Sequence, residues 1–182
     1  MIKPETFTIE TKLNAPAATV YAWHEDPSAL DKLSPQSVGV EVVKPALIKV
    51  GEIAHIKVPL IPNLLKIDWL AKIIYVHKGL EFRDEQIKGP FSYWLHKHRF
   101  IPTGTGCLMR DEVEYVLPCG QLIHHLGKRF VQSQLKDMFS FRHEQLLQEF
   151  GGFPKEKGIK EAPIKTPEVH PNNPILRHAD GI

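Results

Sequence analysis

The sequence predicts an α+β fold, in which one long C-terminal helix covers one face of an antiparallel β-sheet. Segments between residues 38 and 117 are rich in β-branched and aromatic residues, which favour strands. Short connectors such as Lys88-Gly89-Pro90 join these segments and place consecutive strands antiparallel. After Gln121 the apolar residues recur at helical spacing, and this helix is the only element able to cover much of the sheet.

The first elements follow from alternation and from the positions of proline. Residues 7–13 have apolar side chains at alternate positions, the pattern of a half-buried strand. A helix is expected to begin at residues 14–16, because proline is tolerated in the first helical turn. Asp26-Pro27 repeats this signal and predicts a second short helix that ends at Pro35. Six further strands are expected over residues 38–43, 52–58, 66–76, 80–87, 91–101 and 107–117.

The long helix and the segment that follows it differ in composition. Between Gln121 and Phe150 apolar residues recur mostly every three or four positions, as on one face of a helix. Gly151-Gly152 can supply the left-handed residue that ends a helix. Residues 152–182 contain five prolines and little apolar periodicity, so we expect an extended or disordered tail after a domain of residues 1–151. The expected apolar face consists of Leu122, Leu126, Phe130, Leu135, Phe139, Leu146 and Phe150.

Composition and charge narrow the class of protein. The chain has 182 residues and a formal net charge of +2, which argues against nucleic acid as a partner. No apolar run is long enough for a transmembrane helix, so no stable membrane insertion is expected, and the N-terminus lacks the layout of a signal peptide. Two cysteines, Cys107 and Cys119, cannot form a framework of several disulfides, which favours a cytoplasmic location.

Established catalytic signatures are absent from the sequence. It contains no GxSxG, HExxH, P-loop or GxGxxG motif. We therefore expect neither a cofactor nor a bound metal. Whether the protein is an enzyme stays open at this point.

Polar residues fall on the face of the predicted sheet that should be buried. In a hairpin that turns near residues 103–104, His96 lies opposite Asp111, and side chains alternate between the two faces. His98 shares this face with the apolar Trp94, which marks it as the inner face. A register slip of one residue would reverse the assignment.

The preceding strand adds Asp84 and Gln86 to the inner face, with Asp84 expected near Trp94. Buried charges without partners cost several kcal/mol, so these groups either satisfy one another or line a cavity that holds water or ligand. His96 and His98 could be core histidines bonded to aspartates, ligand-binding residues, or a His-x-His pair that binds zinc or iron. The glutamate that a cupin-like metal site places a few residues further on is missing.

Aromatic residues could line such a cavity. Large rings at strand spacing contribute either to a core or to the apolar wall of a pocket, and Tyr115 is the best pocket candidate because of its hydroxyl. The apolar residues 58–65 include two prolines, which suit neither a central strand nor a helix interior. We expect a loop there, either folded over the mouth of a pocket or packed on the body. The aromatic set is Trp69, Phe82, Phe91, Trp94 and Tyr115.

Two stretches of the chain carry a family resemblance. They read Phe82-x-Asp84-Glu85-Gln86-x-x-Gly89-Pro90-Phe91-x-x-Trp94-x-His96-x-His98-x-Phe100 and Asp111-x-Val113-x-Tyr115-x-x-Pro118-x-Gly120. Together with the order of elements, they resemble the ligand-binding SRPBCC family of the START-like, or Bet v 1-like, superfamily, which is related to the polyketide cyclase/dehydrase group. The resemblance covers about residues 5–150.

This resemblance implies a helix-grip fold, in which a curved seven-stranded antiparallel sheet surrounds the long helix. It also implies an internal cavity that is open at one end. Members of the superfamily bind lipids, hormones and aromatic polyketides, and some catalyse cyclisation or dehydration. The fold does not decide among these activities.

Three functions are compatible with these observations. The first is binding of a hydrophobic, lipid-like or aromatic small molecule that carries a polar group. The second is a cyclase, dehydratase or isomerase, with His96 as general base, Asp111 holding its tautomer, and Tyr115 or His98 donating a proton. The third is a regulatory domain that contacts a partner protein through the tail. The candidate ligand-binding residues are Trp69, Phe82, Asp84, Gln86, Phe91, Trp94, His96, His98, Asp111 and Tyr115.

Overall fold

The computed structural model describes residues 3–61, 65–104, 106–118 and 120–152 and has the predicted α+β architecture. Seven antiparallel strands form one sheet in the order β1-β7-β6-β5-β4-β3-β2, so the first and last strands of the chain are neighbours. The elements are β1 (Glu5–Leu13), α1 (Ala17–His24), α2 (Ser28–Lys32), a 3-10 helix (Gln36–Val38), β2 (Glu41–Lys44), β3 (Ile53–Ile61), β4 (Leu65–His77), β5 (Glu81–Lys88), β6 (Tyr93–Thr103), β7 (Gly106–Val116) and α3 (Gly120–Phe150).

The β6–β7 hairpin turns one residue later than the sequence suggested, and its register therefore differs from the expected one by two residues. Thr103 pairs with Gly106, so His98, and not His96, lies opposite Asp111. The prediction of the cross-strand partner was wrong. Because side chains alternate with a period of two, a shift of two leaves every residue on its predicted face.

The β5–β6 pairing shows a similar shift. Asp84 lies opposite His96 and not opposite Trp94. The connection is longer than expected, and the side chain of Gln86 bridges it by hydrogen bonds to the backbone of Phe91. Its amide nitrogen donates to the carbonyl oxygen of Phe91 at 2.7 Å, and its amide oxygen accepts from the Phe91 N–H at 3.3 Å.

Residues 58–61 and Leu65 belong to strands, so the loop predicted for this stretch is wrong there; residues 62–64 lie outside the described residues. Pro59 pairs with Lys66 on one side. On the other side the pairing of β2 with β3 extends only to Lys57. Pro59 therefore lies beyond the end of β2, where β3 has a neighbouring strand on one side only and proline is tolerated.

The start of β2 also differs from the prediction. Val38 ends the 3-10 helix, and Gly39 follows it with φ at 91°, in the left-handed region that favours glycine. The strand begins only at Glu41.

The core lies between the inner face of the sheet and the helices. From α3, the side chains of Leu135, Phe139 and Leu146 are buried and pack against residues of the strands. Phe130 was expected on this face but is 69% exposed. Phe130 lies five residues before Leu135, and on a helix this separation rotates the two side chains about 140° apart. Phe130 therefore does not share the buried face of Leu135. The side chains of Leu122 and Leu126 lie outside the description.

The end of α3 is tied to the end of β1. Gly151 has φ at 71°, as expected for the glycine that closes the helix, and its N–H donates to the carbonyl of Leu147. The N–H of Asn14 donates to the carbonyl of Gly151 at 3.0 Å, and Gly152 forms a β-bridge with Leu13. The predicted tail begins with Gly152, which forms this bridge; its residues 153–182 lie outside the described residues, and the tail stays a prediction. No helix in the described part of the chain is long and apolar enough to cross a membrane.

Candidate functional site

A cavity of about 140 Å³ lies between the inner face of the sheet and the helices. Strands β3 to β6 supply one wall, and the region of α1 and α2 together with Met138 and Arg142 of α3 supplies the other. A protein cavity of about 150 Å³ holds a benzene-sized molecule. The apolar lining consists of Ala29, Leu30, Leu33, Pro35, Val40, Ala46, Ile48, Ala54, Ile56, Val58, Trp69, Ala71, Ile73, Phe82, Trp94 and Met138.

Polar side chains reach this cavity because residues two apart on a strand share a face. His96 and His98 follow Trp94 on the inner face of β6, and Asp84 lies opposite His96 on β5. All four residues line the cavity, and the side chain of His96 is only 4% exposed. Phe82 stacks on His98 with 4.0 Å between ring centroids.

Asp111 joins the two imidazoles from the next strand. Its Oδ1 accepts a hydrogen bond from Nε2 of His96 at 3.0 Å and lies 3.0 Å from Nδ1 of His98. The opposite ring nitrogens face Asp84. Nε2 of His98 is hydrogen-bonded to Oδ2 of Asp84 at 3.1 Å, and Nδ1 of His96 lies 3.6 Å from the same oxygen. Each imidazole therefore bridges two carboxylates.

A fifth group holds Asp111 from the helix side. Nε2 of His143 donates to Oδ2 of Asp111 at 2.9 Å, and Nδ1 of His143 is hydrogen-bonded to the hydroxyl of Thr11 at 2.7 Å. His143 is 3% exposed, as is Asp111. We call Asp84, His96, His98, Asp111 and His143 the His–Asp cluster. Both oxygens of Asp111 are thereby satisfied, as burial of a carboxylate requires.

Burial and mutual charge set the protonation of the cluster. Burial lowers the pKa of His96, and the charge of His98 lowers it further. Burial also acts to lower the pKa of His98, but the Asp111 charge and the bonds to both aspartates raise it above its ordinary value. Burial would raise the pKa of Asp84 and Asp111, yet the neighbouring histidines outweigh it, and the pKa of Asp111 lies well below its ordinary value. The two aspartates are therefore ionised in the folded protein.

Arg142 brings a buried cation to the cavity from α3. Its Nε donates to the carbonyl of Leu33 at 3.2 Å, and its guanidinium lies 5.1 Å from the ring centroid of Phe139. Burial lowers its pKa, and the charges of Asp111 and Asp84 act in the opposite direction. Within the described residues, no carboxylate lies within 4.0 Å of this guanidinium.

His24, at the end of α1, is a further polar group on the wall. Its Nδ1 donates to the carbonyl of Val20 at 2.8 Å, and its ring contacts Phe100 edge-on. Burial lowers its pKa to about 4, with the nearby charges of His98 and Arg142 acting in the same direction. His24 is therefore neutral at pH 7.

The structure brings six of the ten predicted site residues to the cavity wall: Trp69, Phe82, Asp84, Trp94, His96 and His98. The other four lie elsewhere. Gln86 holds the β5–β6 connection, where Phe91 also lies, and Tyr115 is buried in the core beside Phe91. Asp111 lies behind the two histidines and contacts the cavity only through them.

Sequence reasoning missed His24, Arg142 and His143. The signal for the last two was present, because both lie three or four residues from Phe139 and from Leu146, the helical spacing of one face. Their polarity kept them out of an apolar pattern. His24 is the last residue of α1, and no pattern in the sequence pointed to it.

Asp84, His96 and His98 are also arranged as potential metal ligands. Each offers one ligand atom, and the three atoms lie within 4.8 Å of one another. The cluster can thus serve as a hydrogen-bonding site, as an acid–base pair or as a metal site.

Comparison of the fold with solved structures gives distant but consistent likenesses. The Zhui aromatase/cyclase from Streptomyces sp. R1128 superposes with a TM-score of 0.63 at 10% identity, covering 80% of this chain and 93% of that chain. Norcoclaurine synthase from Thalictrum flavum gives 0.58 at 18% identity, covering 80% and 86%. The protein TTHA0849 from Thermus thermophilus gives 0.60 at 20% identity, covering 80% and 99%. At these identities the likeness shows the helix-grip fold alone.

Comparison of the amino-acid sequence identifies the family of this chain. Curated protein sequences contain no match to this chain. Residues 13–140 match the family described as polyketide cyclase / dehydrase and lipid transport, and this span includes the whole sheet from β2 to β7 and the cavity-facing histidines of β6. The chain therefore belongs to the polyketide cyclase/dehydrase and lipid transport family.

Proposed function

We propose that the protein binds a small hydrophobic molecule, with one aromatic ring or a body of similar size and one polar group, in the cavity between the sheet and α3. The observation that supports this most directly is the composition of the wall, where an apolar lining is interrupted by a few converging polar side chains. Ligand sites in proteins commonly have this composition. The family to which the chain belongs includes lipid transport in its description.

The apolar part of the ligand would lie against the aromatic side of the wall. Trp69 and Trp94 meet edge-to-face with 4.8 Å between ring centroids, which gives this part of the wall a rigid shape. Ala54 and Ala71 leave space beside them because their side chains are small. The size of the cavity favours a ligand of about one ring.

The polar part of the ligand would meet Arg142. This guanidinium lacks a close carboxylate among the described residues, and it lies in an apolar environment in which a charged hydrogen bond is strong. A carboxylate or an enolate-like oxygen on the ligand would give this guanidinium its missing negatively charged partner. We therefore expect acidic aromatic compounds to bind more tightly than the same rings without the acid.

Calorimetry of the full-length chain with a series of one-ring and two-ring aromatic acids and their uncharged parents tests this proposal. Ala71→Phe fills the cavity and should weaken binding at least about tenfold, whereas Ala22→Phe, on the exposed side of α1, should leave it unchanged. Arg142→Met should weaken the binding of the aromatic acids by about 10–100-fold and should change the binding of their uncharged parents little. Circular dichroism confirms that each variant is folded. Equal affinity in the folded Ala71→Phe variant, or no binding by the wild-type chain, would overturn the proposal.

The contact of His96 with Asp111 favours a second candidate, acid–base catalysis on the bound molecule. A histidine held by a buried carboxylate and facing a cavity is suitable for proton abstraction next to a carbonyl. Aromatic ketones incubated with the protein in D2O should then gain deuterium at the carbon next to the carbonyl. His96→Gln should abolish this exchange with ligand affinity retained, and an unchanged exchange rate would exclude His96 as the base.

A further inference from the structure

We infer that Asp84, His96 and His98 bind a divalent first-row transition metal ion at the wall of the cavity. Within the described residues these three form the one group of three histidine, cysteine or acidic ligand atoms that lie within 4.8 Å of one another. The inference goes beyond ligand binding, because the metal would be held whether or not an organic molecule is present.

The three ligand atoms already converge. Nε2 of His98 lies 3.1 Å from Oδ2 of Asp84, and Nδ1 of His96 lies 3.6 Å from the same oxygen. Ligands at about 2.1 Å from a metal ion lie roughly 3.0–3.4 Å apart in octahedral or tetrahedral geometry. The Asp84–His98 distance already falls in this range, the Asp84–His96 distance exceeds it by about 0.2 Å, and the two ring nitrogens lie within 4.8 Å of each other.

The remaining ring nitrogens are held in the way that metal-bound histidines require. Nε2 of His96 and Nδ1 of His98 both lie 3.0 Å from the same oxygen, Oδ1 of Asp111. A carboxylate in this position fixes the ring orientation and the tautomer, so that the opposite nitrogen carries the free lone pair. His143 in turn holds the other oxygen of Asp111. The support thus extends from β7 to α3.

The donor set and the surroundings indicate the class of metal. Two imidazoles and one carboxylate on one face suit Zn²⁺, Fe²⁺ or Co²⁺, with the remaining coordination positions directed at the cavity. An ion also balances charge, because the cluster contains two buried carboxylates. Arg142, which lines the same cavity, would face an anionic group bound to the metal. With the ion in place, His96 could not act as a base.

The alternative is a closed hydrogen-bonded network in which His98 permanently donates to Asp84. Both arrangements use the same residues, but they differ in what the folded protein takes up. A metal ion would replace the proton between Nε2 of His98 and Oδ2 of Asp84. A closed network would take up no ion. Titration with the metal alone therefore separates the two, and it does so independently of any organic ligand.

Full-length protein, purified in chelator and then desalted, is titrated with Zn²⁺ by calorimetry and with Co²⁺ by visible absorption. We expect one ion per chain, with Co²⁺ bands of a nitrogen- and oxygen-ligated site. Asp84→Asn and His98→Gln should each weaken binding by more than about 100-fold, and Asp111→Asn by about 10–100-fold. His55→Gln should change nothing, because His55 and Asp68 form a His–Asp pair outside the cavity, at 2.9 Å.

Three results would overturn the inference. The first is that the folded wild-type chain takes up neither ion. The second is that His55→Gln removes metal uptake. The third is that the folded Asp84→Asn and His98→Gln variants retain metal uptake in full. If circular dichroism shows that Asp84→Asn or His98→Gln does not fold, the metal affinities of the remaining ligand variant and of Asp111→Asn test the inference. The melting temperature of the wild-type chain, which should rise on adding Zn²⁺, is then a further test. Failure of the organic-ligand experiment above with intact metal binding would contradict only the proposed function.

Discussion

The inner and outer faces of the β6–β7 hairpin carry similar charged residues in very different arrangements. On the outer face, Nζ of Lys97 lies 2.7 Å from Glu112 and also contacts Glu114, and the two glutamate side chains are 21% and 29% exposed. On the inner face, one carboxylate, Asp111, contacts three imidazoles, and its side chain is 4% exposed. Asp111 and Glu112 are neighbours in sequence, and only strand alternation separates them.

The comparison shows that the contribution of a charged residue to stability depends more on its surroundings than on its chemical type. Water can take the place of a lost partner on the outer face. On the inner face a lost partner leaves a buried charge or donor unsatisfied, which costs several kcal/mol. Burial and the neighbouring charges shift the pKa values of His96, His98 and Asp111 on the inner face, as at many functional sites. The pKa values of Lys97 and Glu112 on the outer face are shifted too, so the shifts alone do not distinguish the two faces.

Replacing neighbouring acids on the two faces should give the largest difference. Asp111→Asn puts an amide N–H₂ against imidazole donors and should lower the free energy of unfolding by about 3–5 kcal/mol. Glu112→Gln, one residue further and on the outer face, should cost less than about 1 kcal/mol. Urea denaturation followed by circular dichroism measures both. Similar losses in the two variants would contradict the distinction between the faces.

The neutral His24 on the cavity wall should give stability a pH dependence. Its pKa in the folded protein is about 4, below the ordinary 6.5, so the unfolded chain takes up the proton first as the pH falls. Its contribution to stability is present above pH 6.5 and is lost as the pH falls to about 4, at a total cost of about 3 kcal/mol. The charges acting on it are His98, Asp111 and Arg142.

Urea denaturation of the wild-type chain and of His24→Gln at several pH values between about 7 and about 4 isolates this effect. Between those limits the variant should lose about 3 kcal/mol less than the wild type. The remaining titratable groups are common to both proteins and cancel in the comparison. Parallel pH curves for the two proteins would show that His24 titrates normally in the folded state.

The outer-face network should give the smallest effect. Lys97→Met removes the cation between Glu112 and Glu114 and should lower the free energy of unfolding by about 1 kcal/mol or less. Salt should shrink the difference from the wild type further, because it screens charges that solvent reaches. Denaturation at low and at high salt measures both quantities. A loss as large as that of Asp111→Asn would remove the contrast between the faces.

Much of the fold could be predicted because it depends on local patterns. Alternation located the strands, and the helical repeat located α3. The inner-face assignment of His96, His98 and Asp111 survived a register error of two residues, because only an odd shift exchanges the faces. The strand at Pro59 was missed because proline is tolerated where a neighbouring strand ends, and that depends on the length of β2.

The candidate site was less predictable because its members come from distant parts of the chain. His143 reaches Asp111 across 32 positions and Thr11 across 132. Arg142 and His143 lie on the apolar face of α3 by spacing, yet their polarity argued for solvent. Nothing local distinguishes a polar residue that a partner satisfies inside a core from one that faces water.

Periodicity within single elements was enough to predict the α+β class, the seven strands, the long helix and the face on which the two histidines of β6 lie. The convergence of Asp84, His96 and His98 on a cavity depends on how the elements pack together, as do the support from Asp111 and His143 and the position of Tyr115 away from the cavity. Distances between elements depend on register, turn length and helix docking, and a difference of one residue in a turn changes which partners meet.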